Sequence, residues 1–138
     1  MKPILLRGNI HKDTRGSLYY NNGFDTSIIK RIYFIENMDT CIIRGWQGHK
    51  IEQRWFSAVQ GSFLIKLIKI DNWPHPTKHL ICKEFSIAAQ VLDVLHVPKG
   101  YISSIQALEI GSRLLVMSDF SIGDLYDVFR YDLNYFDN

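Results

Sequence analysis

Apolar residues recur along the chain in strict alternation or in short runs of β-branched and aromatic side chains, with turn residues between them. SLYYNN, IIKRIYFIEN, TCIIRG, EQRWFSAVQGSFLIKLIKID, HLICKEFSI, QVLDVLHVP and YISSIQALEIGSRLLVMSDF read as strands, punctuated by Gly16, Gly23, Gly45, Gly61, Pro98 with Gly100, and Gly111. In VQGSF and LEIGSRL a glycine stands between two strand-like runs, where a tight turn needs a residue free to take positive φ, so both joints predict antiparallel hairpins. DNWPHPTKH carries two prolines and no periodicity, and predicts an exposed loop or lid. Near the C-terminus Leu125, Val128, Phe129 and Leu133 have the spacing of a short helix packed on a sheet. The pattern as a whole predicts an all-β sandwich or barrel with a short helical C-terminal tail, and no repeat of 20 to 50 residues interrupts it.

Length adds that 138 residues suffice for a single domain, 1–138, burying roughly two-thirds of the surface its unfolded chain exposes. Hydrophobic residues make up 46% of the chain, which places it with folded proteins rather than disordered ones. A net charge of +2 is too small for bulk attraction to nucleic acid or to an anionic membrane, so neither is expected as a partner. The opening MKPILLRGNIHKD has too short an apolar run for a signal peptide, and no stretch approaches the ~18 apolar residues of a membrane span; a cytoplasmic protein is expected. Cys41 and Cys82 lie apart among apolar neighbours, which predicts reduced, buried packing residues.

Chemistry concentrates in RGWQGHKIEQRW, from Arg44 to Trp55. Alternation along a regular strand puts Gln47, His49, Ile51, Gln53, Trp55, Ser57 and Val59 on one face, with Arg44, Trp46, Lys50, Glu52, Arg54 and Phe56 on the other. Gly45 and Gly48 both permit a bulge, so the side taken by Arg44 stays open.

RGWQGHK, the GS that follows, VPKG and LLVMSDF, together with the N-terminal HKDTRGSLYYNN and IKRIYFIEN, resemble the nucleotide-sugar cupins in order and spacing from about Asp13 to about Tyr131. The similarity is greatest to the 3,4-ketoisomerases acting on dTDP-4-keto-6-deoxyglucose, and more distant to the dTDP-4-dehydrorhamnose 3,5-epimerases. The resemblance implies a jelly-roll barrel whose mouth holds a nucleotide-linked keto sugar, with two histidines of the motif as proton carriers. His49 matches the second histidine, while Gln47 occupies the place of the first. The exchange matters because an amide takes no proton at neutral pH, whereas an imidazole has a reference pKa near ~6.5.

Metal-binding cupins place His-x-His, an acid and a later histidine around the ion. The matching places here hold Gln47, His49, Gln53 or Arg54, and Ser103 or Ser104. One good ligand remains, so neither a metal nor another cofactor is expected. Proton transfer beside a ketone asks for less, namely one base and a donor for the growing oxyanion. His49 is the expected base, with Gln47, Arg44 or Tyr101 as donors. Arg15, Arg31 and Arg54 match family positions for phosphate or nucleotide contacts, and Trp46 or Trp55 would stack the base. His11, His75, His79 and His96 read as structural or solvent-facing, and Asp119 as a cap at a strand end.

These residues leave the choice between an isomerase and an epimerase open. A cupin that binds the sugar without catalysis is the alternative from another class, and a purely structural domain is a third. The resemblance also implies a homodimer, for which IIKRIYFI would serve as an interface strand.

Overall fold

The computed structural model describes residues 1–121 and 127–137. They form twelve strands: β1 (Ile4–Leu6), β2 (Asn9–Asp13), β3 (Gly16–Tyr20), β4 (Arg31–Ile35), β5 (Ile43–His49), β6 (Arg54–Gln60), β7 (Ser62–Lys69), β8 (Cys82–Ala88), β9 (Val94–Val97), β10 (Tyr101–Ala107), β11 (Arg113–Ser118) and β12 (Phe129–Arg130). Two five-stranded antiparallel sheets, ordered β1-β9-β6-β11-β4 and β12-β5-β10-β7-β8, face each other, and β2 with β3 makes a separate hairpin. β1 and β2 are not announced by the hydrophobic pattern, because β1 is only three residues long and β2 is largely exposed.

The core fills the space between the sheets. Phe56, Leu95, Leu114 and Val116 come from one inner face and Phe63, Ile65 and Leu67 from the other, all fully buried. Such a face of alternate apolar positions is what drives two sheets together.

The glycine joints behave differently from expectation. Gly61 and Gly111 do take positive φ, at 69° and 81°, but neither closes a hairpin. β6 and β7 belong to opposite sheets, as do β10 and β11, so each joint is an arch carrying the chain across the core. The reason is occupancy: β6 already lies between β9 and β11, and β7 between β10 and β8.

The C-terminal segment also differs. Phe129 and Arg130 pair with Gly48 and Gln47 as strand β12, so among the described residues there is no helical tail; Leu125 lies outside them. An open edge of β5 takes the backbone, and Tyr131, Tyr135 and Phe136 pack with Trp46, Ile68, Ile70 and Ile102 in a second cluster. Cys41 is exposed rather than buried, and Cys82 is half-buried, its thiol pKa pushed up by desolvation. No helix of the described residues is long and apolar enough to cross a membrane.

Candidate functional site

β5 and β10 run antiparallel with Tyr101 opposite His49, Ile102 opposite Gly48 and Ser103 opposite Gln47, after which the register shifts so that Ile105 stands opposite Arg44. Gly45 and Trp46 therefore share one partner, Ser104. The extra residue inverts the alternation, and Arg44 comes to line the same cavity as Gln47 although they are three positions apart. A side chain at Gly45 would put its Cβ 2.8 Å from the Ser103 carbonyl oxygen, and one at Gly48 would collide with the Tyr101 carbonyl and Ile102. The two glycines let β10 approach closely enough to form the bulge.

The cavity, about 280 Å³, opens between the sheets. Tyr33 and Ile35 from β4, Arg44 to Gln47 from β5, Arg54 from β6, Ser103 and Ile105 from β10, and Arg130 from β12 line it. Three of these side chains are guanidinium groups and none is a carboxylate. Arg44 and Arg130 have no ion-pair partner among the described residues.

Behind the wall lies a buried charge cluster. Arg54 Nε donates to Glu52 Oε2 at 2.6 Å, and Arg31 Nη2 reaches Glu52 Oε1 at 3.4 Å. Both guanidinium groups lie over the Tyr33 ring, at 5.3 Å for Arg31 and 5.9 Å for Arg54. His49 Nε2 is 3.0 Å from Glu52 Oε2, while His49 Nδ1 is 2.7 Å from the Asp127 carbonyl oxygen. A carbonyl only accepts, so Nδ1 carries a hydrogen, and Nε2 is the nitrogen that faces the carboxylate. That nitrogen is buried and makes no hydrogen bond. Burial pushes the His49 pKa below the ordinary imidazole range, and the Arg54 charge acts the same way, against the opposing pull of Glu52.

The strand expected to run on past His49 ends there. Residues 50–53 turn the chain from one sheet to the other. Lys50 donates its amide to Asp127 Oδ1 at 3.0 Å, and Ile51 and Glu52 donate theirs to Oδ2, each at 2.9 Å. Asp119 Oδ1 accepts the Gln53 amide at 2.8 Å, so it pins this turn rather than capping one after its own strand. The turn is why Glu52 faces His49 instead of the opposite side.

Of the predicted site residues, Gln47, Arg44, Arg54 and Trp46 line the cavity. Trp46 is nevertheless only 4% exposed and meets Phe136 edge-on, so its ring is committed to packing rather than to stacking a base. Trp55 is equally enclosed, stacked on His96 at 5.0 Å. His49 and Arg31 stand in the charge cluster behind the wall. Tyr101 lies in the core, outside the cavity lining, with its hydroxyl on the Met1 carbonyl at 3.4 Å and its pKa raised by burial. Arg15 extends from the β2–β3 hairpin, paired with Asp13 at 2.6 Å and 87% exposed, away from the cavity. Among the described residues no three histidine, cysteine, aspartate or glutamate side chains are grouped as metal ligands.

Tyr33, Arg130, Glu52 and Asp127 were not singled out from the sequence. Tyr33 was within reach, since it follows Arg31 by two on one strand face.

No protein-family model matches the chain, and no curated protein sequence matches it. Solved structures do. A 3,4-ketoisomerase from Helicobacter canadensis aligns with a TM-score of 0.70 at 23% identity, covering 90% of this chain and 87% of that one. A mutant of the 3,4-ketoisomerase QdtA from Thermoanaerobacterium thermosaccharolyticum, in complex with TDP-4-keto-6-deoxyglucose, aligns at 0.72 with 22% identity over 94% and 87%. The dTDP-4-dehydrorhamnose 3,5-epimerase from Bacillus anthracis, with TDP and PPi bound, gives 0.73 at 14% identity over 91% and 76%. The chain shares the cupin fold of these isomerases and epimerases.

Proposed function

We propose that this chain is a nucleotide-sugar isomerase or epimerase that works without a metal. Its substrate would be a dTDP-linked 4-keto-6-deoxyhexose, handled in the cytoplasm on the way to surface polysaccharide. The observation that carries the reading is the cavity where Gln47, Arg44, Arg54, Arg130 and Tyr33 converge on the motif segment of a fold shared with enzymes of that kind. Arginines grip a diphosphate through paired N–H donors, and Arg44 and Arg130, free of carboxylates, are the ones available to do so. Gln47 occupies the sugar position and donates its amide to the ketone oxygen as charge grows there. His49 Nε2, deprotonated, takes the proton from the carbon beside the ketone, leaving an enolate; a proton delivered by solvent to the opposite face of the same carbon completes epimerisation, whereas return of the proton to the former ketone carbon, with the neighbouring hydroxyl proton passing to the enolate oxygen, completes isomerisation. For this His49 turns Nε2 from Glu52 toward the cavity. The active unit is a homodimer, to which the exposed Arg15 hairpin contributes.

A second reading is favoured by one feature: His49 is 5% exposed and does not line the cavity. On that reading the chain binds the nucleotide sugar and leaves it unchanged. Incubation with dTDP-4-keto-6-deoxyglucose in deuterated water separates them. Deuterium entering at C3 or C5, and lost in His49→Asn, is expected for the enzyme. Measurable binding with no exchange over hours would leave the binding role alone.

A further inference from the structure

The DNWPHPTKH loop between β7 and β8 contributes nothing to the cavity wall, yet it is fastened to β12, which does. Among the described residues β12 is an edge strand of two residues, paired with β5 alone. Just beyond it the Tyr131 amide donates to the Trp46 carbonyl at 3.0 Å, and the Trp46 amide donates to the Tyr131 carbonyl at 3.2 Å. So short an edge has little pairing of its own to hold it in place. Arg130 stands opposite Gln47, and both line the cavity. Because side chains alternate along a strand, Phe129 and Tyr131 on either side of Arg130 point the other way, toward the loop.

Trp73 meets both of these neighbours. Its ring lies 4.7 Å from that of Phe129, and its carbonyl accepts the Tyr131 hydroxyl at 2.6 Å. The loop presents these groups from a stiff frame. Pro74 restricts Trp73 to extended backbone and Pro76 fixes its own φ, while the Asp71 carboxylate takes the Thr77 hydroxyl at 2.6 Å and the Thr77 amide at 3.1 Å. Two further bonds fasten the chain that follows β12. Tyr135 donates its hydroxyl to the Pro76 carbonyl at 2.6 Å, and Asp137 donates its amide to the Lys78 carbonyl at 2.9 Å. Arg130 itself is exposed and has no ion-pair partner among the described residues, so its own side chain does little to keep the strand where it is.

We propose that Trp73 is a positioning residue: by clasping Phe129 and Tyr131 it keeps Arg130 at the cavity, and a loop outside the site thereby sets the affinity for the diphosphate of the ligand. Only the choice of ligand rests on the nucleotide-sugar reading.

A double-mutant cycle tests the link, with dTDP-glucose binding followed by titration calorimetry. Arg130→Gln and Trp73→Ala are each expected to weaken binding about ten-fold, the scale of one charge-assisted contact. Trp73→Ala introduced into Arg130→Gln should cost less than about two-fold more, because the residue it positions is already gone. Trp73→Phe, which keeps a ring against Phe129, should recover most of the wild-type affinity. In the ligand-free protein the Tyr131 amide should exchange with deuterated water about ten-fold faster in Trp73→Ala, with the amides of β10 unchanged.

A Trp73→Ala change that costs the same factor with and without Arg130 overturns the proposal while sparing the nucleotide-sugar reading, since a general loss of structure strikes both backgrounds alike. Wild-type affinity in Trp73→Ala does the same. Absence of dTDP-glucose binding by the wild type defeats the nucleotide-sugar reading, and the Tyr131 exchange rate then decides: unchanged in Trp73→Ala, the clasp falls; faster, it stands.

Discussion

Asp127 holds three backbone amides and one imidazole, and it does so from 78 positions beyond His49. Replacing it by alanine leaves three donors of the 50–52 turn unsatisfied, at about 1–3 kcal/mol for each buried group, so Asp127→Ala should lose about 3 kcal/mol in urea denaturation after partial hydration. Titration of the buried imidazoles gives a second prediction. His96 Nε2 donates to Gln53 Oε1 at 2.7 Å because the Gln53 amide nitrogen is spent on Asp119, and burial lowers the His96 pKa as it does that of His49. A lowered folded pKa means that the unfolded chain binds more protons below about pH 6.5, so stability is full above that pH and falls as pH drops, flattening once the folded rings protonate. Melting temperatures between about pH 7 and 5 should show this slope, reduced in both His49→Asn and His96→Asn. At this scale the motif pointed to Gln47 and Arg44, which line the cavity, and to His49, which does not. Glu52 was not legible, because its facing depends on a turn that exists only when Asp127 is folded against it.

Strands were read with fair success because alternation is a local property, whereas sheet membership is not. Nothing in VQGSF distinguishes a hairpin from an arch; β7 and β8 form a hairpin across the long DNWPHPTKH loop instead. The failed helical tail has the same origin. Tyr131 donates its hydroxyl to the Trp73 carbonyl and Tyr135 to that of Pro76, both at 2.6 Å, so the segment is shaped by the loop it crosses and not by its own periodicity. β5 carries the tightest constraint at this level. Gly48→Ala would drive a methyl into the β10 backbone and should cost about 2 kcal/mol or more, the scale of overpacking a filled site. Since Gln47 and Arg44 ride on that strand, dTDP-glucose binding should weaken in the same variant, while a surface change such as Val59→Ala leaves it intact.

For the molecule as a whole, the charge and the apolar surface are unevenly placed. Among the described residues β4 ends its sheet, pairing only with β11, so one row of its amides and carbonyls has no strand partner there. On this edge strand Ile32 is 63% exposed and Phe34 61%, while Tyr33 and Ile35 turn inward to the cavity. An open, apolar edge invites pairing with another chain unless something covers it. Among the described residues the β2–β3 hairpin pairs with no other strand, and it exposes Leu18 and Tyr19, although a lone two-stranded hairpin is marginal in water. The proposed homodimer would cover both features. Sedimentation equilibrium at micromolar concentration should therefore give twice the 16.1 kDa chain mass. Ile32→Lys combined with Phe34→Lys should give a monomer with a concentration-independent melting temperature, and Leu18→Ser should weaken the dimer to a lesser degree. A wild-type protein that sediments as a monomer at these concentrations would remove the homodimer from the proposed function. It would also leave the Arg15 hairpin with no route to a cavity.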